Sequence, residues 1–151
     1  CGSPSSDTSS VESSTSRAGS PSSCSTTFSC AAVTVCRRPT GWQPWAPGTA
    51  EQIVAGGRPV FVDFTAAWCV TCQYNKKTTL ASAEVLSAMD AAKVQTFRAD
   101  WTRRDAAITA ELQKLGRNGV PVYVLQAPGQ APVVFSEILS VTEVKDALGR
   151  L

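Results

Sequence analysis

The sequence predicts an α/β domain, a central mixed β-sheet flanked by helices, preceded by a disordered Ser-rich tail. Three observations carry this reading. Thirteen of the first thirty residues are serine, with Gly, Thr and Pro between them. From Gly41 onward, short β-branched and aromatic runs alternate with segments of helical spacing. The first of those runs leads directly into Cys69-Val70-Thr71-Cys72, which opens a helix.

At 151 residues, the chain holds one ordinary domain and a tail. Residues 1–40 bring too little apolar surface to offset the entropy of ordering, and 41–151 form the domain. Apolar residues make up 43% and charged residues 17% of the chain, as in a soluble globular protein, and a net charge of +2 makes no electrostatic case for nucleic acid or an anionic membrane surface. No apolar run approaches the roughly 18 residues of a membrane span. A chain that opens on Cys rather than Met reads as a fragment or a processed product. Cys1 followed by small residues and a Ser-rich tether resembles the start of a mature bacterial lipoprotein. A truncation point that falls on a cysteine by chance reads the same way.

Taking the elements in order, Trp42 and Trp45 flank a Pro-rich lead-in over 41–48. Thr49 can cap a short helix over 50–56, with Glu51 in its first turn and Gly56-Gly57 at its end. Val60 to Phe64 is a buried strand. Cys69 to Thr79 is a helix, and a second helical piece over 82–91 puts Val85, Leu86 and Met89 on one face. Val94 to Ala99 is a strand. Arg104 to Leu115 is a helix with Ile108, Leu112 and Leu115 at helical spacing, broken by Gly116 to Gly119. Val122 to Gln126 is a strand, Pro128-Gly129 a turn, Val133 to Phe135 a strand, and Val141 to Leu148 the closing helix. The order β-α-β-α-β-β-α implies a mixed sheet with helices on both faces.

The chain has six cysteines and no histidine. That absence removes Cys–His nucleophilic pairs, His-containing zinc sites and imidazole acid–base catalysis together. Cys24, Cys30 and Cys36 lie six apart, a spacing that fits neither a CxxC nor a zinc-ribbon pattern, so they read as unstructured thiols or as disulfides in an oxidising compartment. Cys69 and Cys72 are different. A sulfur at a helix N-terminus faces free backbone N–H groups and the positive end of the helix dipole, which lower a thiol pKa. Two intervening residues bring Cys72 one turn along, close enough to close a disulfide. Such a pair carries its own redox equivalents and calls for no cofactor and no metal. A plain structural disulfide or a metal site, for which two more ligands are needed, are the alternatives.

Asp63 stands inside the apolar run, six residues before Cys69. A carboxyl there is costly unless paired or protonated. It is either an edge residue in contact with water or a buried acid that exchanges a proton with Cys72. Lys76 either pairs with Asp63 or lies on the solvated face of its helix, the reading adopted here. Trp68 is either a packing residue or a cover over the cysteines. Val120-Pro121, before the strand at Val122, is either a simple boundary or a cis bond that brings backbone beside the pair.

The string Phe61-Val62-Asp63-Phe64-Thr65-Ala66-Ala67-Trp68-Cys69-Val70-Thr71-Cys72 resembles the thioredoxin superfamily. Within it, Trp-Cys-Val-Thr-Cys, the Trp42-Gln43-Pro44-Trp45 lead-in, Gly57-Arg58-Pro59-Val60, Gly119-Val120-Pro121 and Ser136-Glu137-Ile138-Leu139 resemble the C-terminal periplasmic domains of the DsbD family of thiol:disulfide interchange proteins. The likeness spans residues 41–151. It implies a thioredoxin-like fold with Pro121 in cis, Cys69 as attacking thiol, Cys72 as resolving thiol and Asp63 as the buried acid. Trp68, Val120 and Pro121 become the candidate substrate-binding residues. It further implies a protein-disulfide reductase on the periplasmic side of a bacterial inner membrane, fed by a membrane electron-donor domain and serving protein disulfides and thiols. Family members often carry an acid one turn after the cysteine pair; this chain has Lys76, and a cation there favours thiolate more than a carboxylate does.

The alternatives keep the fold but reverse the direction, as a thiol oxidase or isomerase, or drop the chemistry, as a metal-binding or interaction module. Val70-Thr71 lacks the histidine of strongly oxidising pairs, which favours reduction. Nothing in the sequence demands more than a monomer.

Overall fold

The computed structural model describes residues 41–151. The tail expected over 1–40 lies outside the described residues, as do Cys1, Cys24, Cys30 and Cys36. The chain runs β1 (Gln43–Pro44), α1 (Thr49–Ala55), β2 (Val60–Thr65), α2 (Val70–Lys77), α3 (Ala83–Ala91), β3 (Gln95–Asp100), α4 (Ala106–Lys114), β4 (Val122–Gln126), β5 (Val133–Val134) and α5 (Val141–Leu148). The strands form one five-stranded sheet in the order β1-β3-β2-β4-β5. β2 lies at its centre and all six of its residues are buried, which is why its sequence reads as a continuous apolar run rather than an alternation. β3 pairs with β2 in parallel and β4 pairs with it antiparallel. The mixed sheet flanked by helices is therefore the fold that the sequence predicts.

Successive side chains of β2 point to opposite faces. Val60, Val62 and Phe64 join Phe97, Ile108, Leu112, Val122 and Val124 in one core, under α1 and α4. Phe61 joins Tyr123, Leu125, Val85, Met89, Val144 and Leu148 in the other, under α3 and α5. Asp63 and Thr65 share the face of Phe61.

The structure corrects several local readings. The lead-in contains a strand, β1, in which Gln43 and Pro44 pair with Phe97 and Arg98. It is too short to show periodicity, and at a sheet edge proline's missing N–H costs little. Gly48, at φ 79°, is the N-cap of α1, and Thr49 is already helical with no side-chain cap bond. Arg104, with φ 54°, lies outside α4. The N-cap is Asp105, whose carboxylate accepts from the N–H groups of Ala107 and Ile108. Cys69 is likewise the N-cap of α2 rather than its first residue. Leu86 is 46% exposed, while Val85 and Met89 are buried. Four residues bring a side chain back to nearly the same helix face, whereas one residue turns it by about 100°. Since Val85 sits in the core, its neighbour Leu86 is turned away.

That difference gives a measurable contrast. Leu112→Ala empties a fully packed position of α4 and should lower the unfolding free energy by about 2–5 kcal/mol. Leu86→Ala should stay within about 0.5 kcal/mol. Urea denaturation with unchanged m-values is the check, and equal losses would contradict the assignment of faces.

Candidate active site at the cysteine pair

The sheet topology gathers three segments at one end. β2 and β3 run in parallel and finish side by side, with Thr65 opposite Asp100. β4 runs the other way and begins there, with Val122 opposite Phe64. The loop after β2, the loop after β3 and the loop before β4 therefore meet at the carboxyl end of the central strand.

The first loop carries the cysteines. Cys69 and Cys72 are joined in a disulfide with Cα atoms 5.2 Å apart. The Cys69 Sγ also accepts a hydrogen bond from the Cys72 N–H at 3.2 Å, as the side chain of an N-cap residue does. That amide is one of the unpaired donors of the helix start, so it would stabilise a Cys69 thiolate when the bond is reduced. No acidic residue stands in the first turn of α2 to oppose this. Cys69 is 6% exposed and Cys72 fully enclosed, so Cys69 is the more accessible of the two residues. Ala66 and Val120 pack against the pair, and the Val120-Pro121 bond is cis. The structure thus brings the loop before β4 against the cysteines, the second of the two readings left open by the sequence.

Asp63 is fully buried. Its Oδ2 accepts from the Nε of Arg98 at 3.1 Å across the β2–β3 register, while Oδ1 has no protein partner. Burial raises its pKa above the ordinary carboxyl value, against the opposing pull of the Arg98 guanidinium and, more weakly, of Lys76. The guanidinium is itself held in place, 4.7 Å over the ring of Trp42. Tyr123 faces Asp63 from β4, and burial pushes its phenol up to about 12, so it remains a neutral hydrogen-bonding group. Lys76 is neither an ion-pair partner of Asp63 nor a fully solvated residue. It is half-buried, and burial lowers its pKa while Asp63 works in the other direction.

Trp68 both packs and covers. It is 51% exposed, its ring lies 6.1 Å from that of Trp101, and its indole N–H donates to the Thr102 carbonyl at 3.3 Å. The Thr102 hydroxyl accepts from the Ala67 N–H at 2.9 Å. Asp100 in turn accepts from both the N–H and the hydroxyl of Thr102. The loop after β3 therefore clasps the residues just before Cys69.

Three contributors escaped the sequence reading: Arg98, Thr102 and Asn75. Asn75 is fully buried on α2, donates to the Tyr123 hydroxyl and the Glu137 carbonyl at 2.9 and 2.8 Å, and accepts from the Leu139 N–H. It anchors the active-site helix to the sheet and to the segment before α5. A polar residue three positions after Cys72 reads as solvent-facing, and nothing local reports partners 48 to 64 residues away. Arg98 left one signal, a cation in a strand that pairs with the strand of a buried acid.

Comparison with known proteins places this site in context. Residues 41–128 match the family model described as thioredoxin-like. A thiol:disulfide interchange protein DsbD of Cronobacter sakazakii is 39% identical over 70 residues, covering 46% of this chain and 12% of its own length. The DsbD of Ralstonia nicotianae is 36% identical over 115 residues, covering 66% of this chain and 19% of its own length. The chain thus spans less than a fifth of either relative. In structure it superposes on the reduced DsbD C-terminal domain of Neisseria meningitidis with a TM-score of 0.57 and 21% identity, over 67% of this chain and 89% of that domain. A thioredoxin from Thermus thermophilus gives 0.57 and 19%, over 72% and 84%. Both structures share the fold. With more than half of its length under the family model and a cysteine pair fit for thiol–disulfide exchange, this chain belongs to the thioredoxin-like family.

Proposed function

We propose that the domain is a protein-disulfide reductase, with Cys69 as attacking thiol, Cys72 as resolving thiol and Asp63 as proton acceptor. The observation that carries this reading is the placement of the Cys69 sulfur at the N-terminus of α2, under the Cys72 amide, with Cys72 enclosed behind it. In the reduced form, the Cys69 thiolate attacks a substrate disulfide. One substrate sulfur leaves as thiolate and the other is joined to Cys69. Cys72 then gives up its proton and attacks the Cys69 sulfur, which expels the second substrate thiolate. The protein dithiol becomes the disulfide and the substrate disulfide becomes two thiols. Asp63 is buried with one oxygen unpartnered and its pKa raised, which makes it a stronger base than an ordinary carboxylate for the Cys72 proton.

The DsbD relatives support a longer parent protein, in which a membrane domain supplies electrons and periplasmic proteins receive them. Trp68, Val120 and Pro121 would form the surface that meets those partners. The pair itself stores the two electrons, so the reaction needs no cofactor.

Cys72→Ser should trap mixed disulfides with oxidised test proteins on non-reducing gels, whereas Cys69→Ser should abolish exchange. Reductase activity that survives Cys69→Ser would overturn the assignment of roles. The reduction potential tests direction. A value near the roughly −270 mV of thioredoxin fits an electron donor, and one near the roughly −120 mV of a strong oxidant would reverse the reading.

Asp63→Asn should slow resolution at neutral pH, with the deficit shrinking at high pH, where Cys72 ionises unaided. Stability changes in a defined direction too. Because the folded pKa of Asp63 is raised, the folded chain holds its proton after the unfolded chain has released it. Stability is therefore lost as pH rises from the ordinary carboxyl value of 3.8 toward the raised one. Asp63→Asn should be more stable than the parent at neutral pH, with the gain vanishing in acid. Urea titrations across pH measure this, and a pH-independent difference would contradict it.

A further inference from the structure

Beside Trp68, the residue before Cys69, stands an arginine that the exchange chemistry does not use. The guanidinium of Arg104 lies 5.9 Å from the ring centroid of Trp68 and 5.5 Å from that of Trp101. Both distances are within reach of cation–π attraction. Its backbone adopts φ 54°, a left-handed conformation uncommon outside glycine, and its N–H closes a turn onto the Trp101 carbonyl at 2.9 Å. That turn sets the exposed guanidinium against the two rings, and one of those rings belongs to the residue immediately before Cys69.

The two carboxylates nearest in sequence are already engaged. Asp100 accepts two hydrogen bonds from Thr102. Asp105 caps α4. No ion pair among the described residues includes Arg104. The adjoining elements add positive charge: Arg103 is exposed, and α2 ends in Lys76 and Lys77 and has no acidic residue along its length. Trp68, next to this charge, and Val70 and Tyr74 on α2 present exposed apolar surface at 51, 82 and 57%.

We propose that Arg104 is a specificity-determining residue, its guanidinium held over Trp68 and Trp101 to receive a carboxylate that flanks the disulfide of a protein substrate. This rests on the reductase reading above. A planar guanidinium set against aromatic faces keeps N–H groups free for a carboxylate, and the ring contacts favour the placement that binding needs. The substrate class is then a disulfide bordered by Asp or Glu, its apolar neighbours resting on Trp68 and Val70.

The test is a single-turnover assay with the full chain carrying Cys1→Ser, Cys24→Ser, Cys30→Ser and Cys36→Ser, pre-reduced and freed of reductant. Three peptides with one disulfide in common are compared, flanked by Glu, Gln or Lys, and hydroxyethyl disulfide serves as an uncharged reference. The Glu-flanked peptide should react about threefold to fivefold faster than the Lys-flanked one, with the gap closing at high salt. Arg104→Gln should shrink the advantage of the Glu-flanked peptide to the smaller part left by Arg103, Lys76 and Lys77, and Arg104→Glu should shrink it further. Arg104→Met keeps the aliphatic stem on the rings and serves where the Gln variant fails to unfold cooperatively. A folded Arg104→Gln or Arg104→Met with the parental preference intact would overturn the role of Arg104. So would a parent chain that reduces all three peptides equally while still reducing hydroxyethyl disulfide. A parent chain that reduces none of the four overturns the reductase reading beneath it.

Discussion

Six consecutive buried residues form the central strand, and one of them is an aspartate. An ionised carboxylate in such a place is costly unless it is paired, and a full pairing would fix its charge permanently. The structure takes an intermediate course. One oxygen of Asp63 meets Arg98, the other meets no protein donor, and burial outweighs the cation in setting its protonation. The neighbouring elements contribute to this balance. Trp42 supports Arg98 from just before the edge strand and Tyr123 closes the opposite side as a neutral phenol. Asn75 ties α2 to that phenol.

The same strand order delivers the sulfur chemistry. Two parallel strands and one antiparallel strand present three loops at a single end, and each supplies something different. The loop after β2 ends on an N-cap cysteine, the loop after β3 holds that loop through Thr102, and the loop before β4 lays Val120 on the pair. In the proposed exchange, the attacking sulfur needs little more than a helix start and a path to solvent. The resolving sulfur of that scheme needs enclosure, because a thiol kept from water stays protonated until a base takes its proton. The two cysteines differ in exposure in that sense.

Much of this was legible from residue order because it rests on local physics. Val60 to Phe64 reads as a buried strand, Ile108, Leu112 and Leu115 stand at helical spacing, and a CxxC pair between a buried strand and a helix has few uses. Two departures from the sequence expectation are local as well. Thr49 looked like a cap, yet Gly48 reaches a positive φ at little cost and takes that position. Leu86 looked like core, yet it follows Val85 by a single residue and so turns outward.

The sequence by itself determined the fold class, the two cysteines and the presence of an acid in a buried strand, since each depends on residues adjacent along the chain. Only the tertiary structure decided what surrounds them. Whether Asp63 meets a cation depended on the β2–β3 register, which sets Arg98 beside it from 35 residues away. Whether Trp68 packs or covers depended on Trp101 and Thr102, carried there by the end of β3. Hydrophobic period and capping act over a few residues and can be read in one dimension. Strand pairing and burial join distant segments, so their effect on charge exists only once the sheet has formed.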